Sequence, residues 1–216
     1  MDTDELYILD MIRVDTDLRE RHQKNIYFLW ALVLLSVIST LCLASLTSSD
    51  DFTELRVTSG ARIFRALLAA DEAIERKAGN DKILNIFLLF QNNARNAEKA
   101  RDTLLNRDDI RIRKIAIHVE IMSIADFEKK TSISSAGIFL TDLLTNENLA
   151  HVMERARKYH TVVFSPFEGD VERGVHSGIA VEARVRPFLN LESIHSAGIR
   201  LKPFFLKVAK TYGKSS

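Results

Sequence analysis

The feature that most constrains the fold is a regular alternation of helix-like and strand-like segments over residues 58–166. The clearest strand is 82–90, KILNIFLLF, a nearly continuous apolar run, as expected of a strand that is buried on both faces. Amphipathic helical segments precede it at 59–79 and follow it at 92–105, and further strands are predicted at 113–122, 134–142 and 160–166. This alternation predicts a three-layer α/β domain, with a mostly parallel sheet, right-handed crossovers and helices on both faces.

Local signals indicate where the helices begin and end. In the segment 59–79, apolar residues recur at helical spacing, with Ser59 as the predicted N-cap and Gly79 as the predicted stop. Ser123 and Thr145 are the corresponding N-caps of two later helical segments. We therefore expect the first helix of the domain to begin at Ser59 and to continue almost to Gly79.

The last part of the domain has a different pattern. Residues 174–183 and 184–191 are two strand-like pieces with a tight connection, which predicts an antiparallel hairpin. Two short helices follow, separated by Gly198, and Pro203 stands at the first turn of the second helix. Asn190 lies where strand gives way to helix, so we expect it to cap the first of these helices. The hairpin and the two helices close the predicted domain.

A run of 21 uncharged, largely apolar residues, 26–46, precedes this domain. A helix of about 20 apolar residues spans a bilayer, and basic flanks stay in the cytoplasm. Here basic residues lie just before the run and acidic residues just after it. We therefore expect a cytoplasmic segment at 1–25, a transmembrane or signal helix at 26–46, a linker at 47–57 and the domain at 58–213, on the periplasmic side of a bacterial inner membrane.

Two interpretations of the apolar run stay open. The 25 residues before it favour a retained anchor. The small residues Cys42 and Ala44, at the offsets of a cleavage site, favour a signal peptide that is cleaved near Ala44, and a start at Met11 would give that peptide a more ordinary length.

Composition excludes several kinds of chemistry and partner. The only cysteine is Cys42, so the exported domain has no disulfide, no cysteine nucleophile and no cysteine-based zinc site. Beyond residue 45 the basic and acidic residues are interspersed and nearly balanced, without a basic stripe. A nucleic acid is therefore not expected as a partner.

The most suggestive polar stretch is 165–178, SPFEGDVERGVHSG. It follows the carboxyl end of the fourth predicted strand, which is the edge where open α/β sheets bind ligands. We interpret it as a loop that binds a ligand or a partner. Its candidate residues are Ser165, Phe167, Glu168, Asp170, Arg173 and His176.

An enzymatic alternative would use Ser165, His176 and Asp170 as a hydrolase triad. No G-x-S-x-G elbow is present, and Pro166 has no N–H to offer an oxyanion. The histidines are scattered, without the close pair of a zinc motif, and no glycine-rich phosphate loop occurs. We therefore predict no catalytic residue, no metal site and no cofactor. An enzyme would require Asp170 and His176 to meet in a cleft.

The C-terminal pattern resembles the YfiR-like (YfiR/HmsC) family of exported bacterial proteins. The likeness extends over residues 58–212, with a first helix, two central strands and a closing motif that match the family's order. Unlike several relatives, this domain has no cysteine. The residues of the closing motif, all expected to be structural, are Gly174, Gly178, Asn190, Leu191, Gly198, Phe205 and Leu206.

The resemblance implies regulation and no catalysis. It implies an exported sensory or inhibitory module that contacts an inner-membrane signalling protein, either a diguanylate cyclase of cyclic di-GMP signalling or a sensor kinase. A homodimer stays open as well. The alternative function is a periplasmic solute-binding module, which requires the loop 165–177 to line a real pocket. We expect Phe205 to pack in the core, whereas Phe204 is the residue with more reason to be exposed.

Overall fold

A mixed sheet organises residues 52–105 and 110–213, the part of the chain that the computed structural model describes. Across this sheet of eight described strands, numbered along the chain, the order is 2-3-1-4-5-6-7-8. The strands are β1 Ile83–Phe90, β2 Arg111–Ile112, β3 Ile115–Ser123, β4 Gly137–Leu140, β5 Val162–Phe164, β6 Ser177–Val181, β7 Val185–Asn190 and β8 Lys210–Tyr212.

Six α-helices and one short 3-10 helix connect or follow these strands within the described residues. The 3-10 helix, Ile74–Lys77, comes directly before β1. The α-helices are α1 at 52–70, α2 Arg95–Leu105, α3 Ile124–Lys129, α4 Asn146–Lys158, α5 Leu191–Ser196 and α6 Pro203–Val208.

The predicted membrane segment is not part of this description. The segments 1–25 and 26–46 lie outside the described residues, so their assignment stays a prediction. Within 52–105 and 110–213, no helix combines the length and the apolar character that a bilayer crossing requires.

The sheet is mostly parallel, as predicted. β1 pairs with β3 on one side and with β4 on the other, and β5 and β6 extend the parallel series. β6 and β7 form the predicted antiparallel hairpin, and β2 is antiparallel to β3. The helical connections that join β1 to β3 and β4 to β5 give the alternation that the sequence displays.

Two apolar clusters lie on opposite faces of the sheet and confirm the three-layer class. One cluster joins the buried sides of α1, α2, α5 and α6, and the other joins those of α3 and α4. Within β1, Ile86 and Leu88 belong to the first cluster, whereas Phe87 and Leu89 belong to the second. The continuous apolar run 82–90 is therefore the strand buried on both faces that it was predicted to be.

The first helix differs from its prediction at both ends. α1 passes through Ser59, so Ser59 is no N-cap, and residues 52–57 are helical although they were assigned to a linker. Val57 is fully buried, which draws this turn into the core. The helix ends at residue 70 and not near Gly79. The Asp71 N–H still donates to the Leu67 carbonyl at 3.1 Å, but the Glu72 N–H donates to the Arg200 carbonyl at 2.9 Å, beside the antiparallel bridge between Asp71 and Leu201, and so leaves the helix.

Two short edge strands were not predicted. β8 occupies residues that were assigned to the last helix, and it pairs in parallel with β7. The Phe188 and Tyr212 rings meet edge to face at 6.4 Å across this pair, which favours strand over helix there. At the other edge, Arg113 and Lys114 have φ of 48° and 72° and form the turn between β2 and β3, so the predicted strand at 113–122 begins later than expected.

Candidate functional site

The loop between β5 and β6 is held by a buried hydrogen-bond network. The Ser165 hydroxyl is fully buried and donates to Asp170 Oδ2 at 2.6 Å. The backbone N–H of Phe167 donates to Ser165 Oγ at 3.2 Å. Burial raises the pKa of the Asp170 carboxyl, whereas the hydrogen bond from Ser165 and the charge of Arg173 act to lower it. Asp170 is therefore a structural centre of the loop.

Arg173 fastens this loop to the start of α4. Its Nη1 donates to Asp170 Oδ1 at 2.6 Å, and its Nη2 donates to the Leu144 carbonyl at 3.0 Å and to Asn146 Oδ1 at 2.8 Å. The guanidinium thus bridges the loop and α4. A forked, planar donor set is well suited to this kind of multiple contact.

The glycine and asparagine of the closing motif support the same loop. A Cβ on Gly178 would lie 2.7 Å from the Ser165 carbonyl oxygen, so only glycine allows this close approach. Asn190 accepts the Ser193 N–H, which confirms it as the cap of α5, and its Nδ2 donates to the Val171 carbonyl at 2.8 Å. Both residues therefore hold the loop in its present position.

The other motif residues are also placed in structural positions. Gly174 and Gly198 have φ of +105° and +67°, in the region that favours glycine. Phe205 is buried in the core as expected, whereas Phe204 is 58% exposed. Leu206, the second member of the apolar pair, is 39% exposed, and Leu191 packs half-buried against the first cluster.

His176 is buried and neutral. Its side chain belongs to a residue that is 1% exposed, and Nδ1 accepts the backbone N–H of Val163 at 3.0 Å. Burial, with the positive charge of Lys77 as a second cause, lowers the pKa of the imidazole to about 3. Since Nδ1 is an acceptor, the single ring proton is on Nε2. Nε2–H has no hydrogen-bond partner among the described residues.

The three residues of the hydrolase alternative do not form a triad. The Ser165 hydroxyl donates to Asp170, and His176 Nδ1 is occupied by the Val163 N–H. Ser165 is also fully buried, so a substrate carbonyl has no access to it. In addition, no group of three or more metal-ligating side chains occurs in residues 52–105 and 110–213.

His176 and Arg173 line a cavity of about 470 Å³, which we call the α4–α5 cavity. Its first wall is one face of α4, and the second is the end of the loop together with α5. The wall on α4 consists of Asn146, Leu149, Ala150, Met153, Glu154 and Arg157. The opposite wall consists of Arg173, Gly174, His176, Ser193 and Ser196.

The predicted loop residues divide between two places. Arg173 and His176 contribute to the α4–α5 cavity, whereas Phe167 and Glu168 border a smaller hollow of about 150 Å³ near Arg56. Arg56 donates to the Pro166 carbonyl at 3.3 Å and pairs with Glu168 at 3.4 Å. The loop therefore does not act as one continuous binding surface.

The α4 wall of the cavity was not predicted from the sequence. Its six residues recur at spacings of three and four, so they share one helix face. That periodicity is visible in the sequence, but it predicts only an amphipathic helix. Two further residues on the opposite wall, Ser193 and Ser196, follow the closing motif, where structural roles alone were expected.

The crevice at the switch point of the sheet, between β1 and β4, is closed by a carboxylate of the chain itself. Asp142 Oδ2 accepts the backbone N–H groups of Gln91, Asn92 and Asn93 at 3.0, 2.7 and 3.2 Å. Open α/β sheets commonly bind ligands in this crevice. Here the Asp142 carboxylate already accepts these three N–H groups, so they are not available to a ligand. The α4–α5 cavity is therefore the better candidate site.

Comparisons with known proteins give only distant matches. No family model matches the sequence, and no curated protein matches it. Among solved structures, a Streptococcus pneumoniae ABC domain in complex with L-Trp matches with a TM-score of 0.41 and 12% identity, over 67% of this chain and 61% of that one. A conserved domain protein from Vibrio cholerae matches with a TM-score of 0.45 and 14% identity, over 72% and 59%. The chain thus spans about three fifths of these structures.

Proposed function

We propose that this chain is a non-enzymatic sensory module that binds a small solute in the α4–α5 cavity. The observation that carries this proposal is His176, a residue of the cavity lining whose Nε2–H has no protein partner among the described residues. An acceptor atom on a solute in the cavity would form a hydrogen bond with this N–H, worth a net of about 0.5–1.5 kcal/mol.

The walls of the cavity are held in place before any solute arrives. Arg173 ties the loop to α4, and Ser193 Oγ donates to the Gly174 carbonyl at 2.6 Å, which ties the loop to α5. A preorganised site loses less conformational entropy when it binds a ligand. The volume also falls in the range of about 300–1,000 Å³ that is typical of small-molecule sites.

A thermal-shift screen of the full-length chain tests this proposal. Ala150 is an exposed residue of the cavity wall, so Ala150→Trp should fill the cavity without disturbing the core. Glu147→Trp is the matched control, because Glu147 is exposed on the same helix but lies outside the cavity lining. We expect library compounds that raise the Tm of the wild type and of Glu147→Trp but not of Ala150→Trp. Compounds that stabilise all three chains equally, or a library without any stabilising compound, would overturn the proposal.

The output of the module is proposed from the resemblance to the YfiR-like family. We expect one of its two states to contact an inner-membrane diguanylate cyclase or sensor kinase. A solute can shift that contact only if it binds the two states with different affinity. The cavity joins α4, the loop and α5, so occupancy can change the relative placement of elements that face the protein surface.

Cross-linking in native cells tests the output. The full-length tagged chain is purified from membranes, and the proteins that accompany it are identified by mass spectrometry. We expect a membrane signalling enzyme whose recovery differs between Ala150→Trp and Glu147→Trp. Recovery of no membrane protein with either variant would contradict the regulatory output and would leave solute binding as the whole function.

A further inference from the structure

We infer that the solute of the α4–α5 cavity is an organic acid, with a carboxylate joined to an apolar body. This inference rests on the proposed function, because it names the chemical class that the same site accepts. It is carried by three features of the walls: the balance of charge, the unpaired N–H of His176 and an apolar strip on α4.

The charge around the cavity favours an anion. Arg157 is exposed, and its side chain forms no ion pair or hydrogen bond with any described residue. The α4–α5 cavity and the depression beside it share Glu154 and Arg157 in their walls. Together the two hollows are lined by four residues that are always basic and by two acidic ones. The basic residues are Arg155, Arg157, Lys158 and Arg173, and the acidic residues are Glu128 and Glu154.

The unpaired donor of His176, a residue of the cavity lining, favours a solute that has an acceptor atom. His176 is neutral, so it offers one N–H and no charge. A carboxylate oxygen satisfies this donor, and a charge-assisted hydrogen bond is stronger than a neutral one. An ammonium group, which has only donors, would leave Nε2–H unpaired. The His176 donor therefore favours an anionic solute over a cationic one.

The middle of the α4 wall is apolar. Leu149, Ala150 and Met153 lie between the polar ends of the helix face, which begins at Asn146 and ends at Arg157. Methionine adapts to ligands of different outline, because its side chain is unbranched and flexible. A carboxylate with an aliphatic or aromatic body fits this sequence of surfaces better than a fully polar anion such as inorganic phosphate.

Isothermal titration calorimetry with three matched probes tests the class. We use the full-length chain at neutral pH with 3-phenylpropionate, 3-phenylpropanol and 3-phenylpropylamine, which share one body and differ in the head group. We expect the acid to bind at least tenfold more tightly than the amine, which corresponds to about 1.4 kcal/mol. Equal binding of the acid and the amine, or tighter binding of the amine, would overturn the class.

Charge variants assign the binding to the cavity. Arg157→Gln should weaken 3-phenylpropionate roughly three- to tenfold, as loss of a single partly exposed charge does. Lys207→Gln removes the same charge from an exposed residue of α6 that lines neither hollow, and it should change the Kd less than twofold. Glu154→Gln should leave binding equal or stronger. Weakening by Glu154→Gln as large as that by Arg157→Gln would indicate an ammonium group on the solute and would contradict the inference.

His176→Asn tests the acceptor requirement separately. Asparagine Oδ1 can still accept the Val163 N–H, but Nε2–H is lost. We expect the acid to bind more weakly to this variant while the chain keeps its cooperative unfolding. An alcohol or amine that binds the wild type at least as tightly as the acid does, and that is blocked by Ala150→Trp, would overturn the acid class and leave the binding function intact. Failure of all three probes to bind would overturn the inference, and failure of the library screen as well would overturn the proposed function.

Discussion

Two buried serines in this protein have opposite hydrogen-bond status. Ser165 Oγ bonds to Asp170, whereas Ser177 Oγ is buried without a partner in the described part of the chain. Ser177→Ala is therefore expected to preserve or raise the free energy of unfolding, because it removes a desolvated hydroxyl. Ser165→Ala should lower it by about 1–3 kcal/mol, since Asp170 loses a donor. Urea denaturation of both variants measures this, and equal destabilisation would contradict the assignment.

His176 predicts how stability depends on pH. Its pKa is about 3 in the folded chain, against the ordinary histidine value of 6.5, so the unfolded chain binds the proton first as the pH falls. The stabilising effect of the neutral ring is complete above the unfolded pKa and is lost progressively below it. At pH 5 the loss is about 2 kcal/mol by linkage.

The variant His176→Asn isolates this effect. It has no imidazole at the position, so its unfolding free energy should fall less between neutral pH and pH 5 than that of the wild type. Chemical denaturation at both pH values measures the two slopes. Identical slopes for the two chains would show that the His176 ring titrates normally in the folded state.

At the scale of elements, Asp142 joins the loops that follow β1 and β4. Asp142→Ala leaves the three N–H groups of residues 91–93 without their acceptor. We expect the free energy of unfolding to fall by about 2 kcal/mol. Asp142→Asn keeps one carbonyl oxygen as an acceptor, so it should lower the free energy of unfolding by less than Asp142→Ala does. Thermal or urea denaturation ranks the two variants, and a larger loss for Asp142→Asn would contradict this role.

Contact between the β6–β7 hairpin and the loop 165–176 depends on Gly178. An added Cβ would lie 2.7 Å from the Ser165 carbonyl oxygen and 2.8 Å from Val171 Cγ2. Because the Ser165 carbonyl belongs to the backbone and cannot simply rotate away, we expect Gly178→Ala to lower the free energy of unfolding by about 1–3 kcal/mol. It should also weaken binding in the α4–α5 cavity, since the loop carries Arg173 and His176. Unchanged stability and probe affinity would show that the loop moves without cost.

At the scale of the whole molecule, the layers were predictable and the edges were not. The buried strand β1 and the capped helices α3 and α4 have strong local signals. Burial on two faces requires a continuous apolar run, and an N-cap requires a residue such as serine or threonine before the helix. The edge strands β2 and β8 have two and three residues, and they form only through pairing with β3 and β7. The early end of α1 depends on Leu201, far away in the chain.

The candidate site shows the same division. Arg173 and His176 were predicted because they follow a strand at the carboxyl edge of the sheet. The wall on α4 was not, because the face that α4 turns toward α5 depends on how both helices pack on the sheet. Glu154 and Arg157 in particular are ordinary charged residues of an amphipathic helix until that packing is known.

Whether the His176 ring faces a binding cavity is tested most directly by its 15N NMR signal in the full-length chain, free and with each phenylpropyl probe. We predict a neutral ring at neutral pH, with the proton on Nε2, and a shift of the Nε2–H signal when a probe binds. A protonated ring, a proton on Nδ1, or a signal that stays unchanged while calorimetry shows a probe bound would contradict the claim that His176 faces a binding cavity.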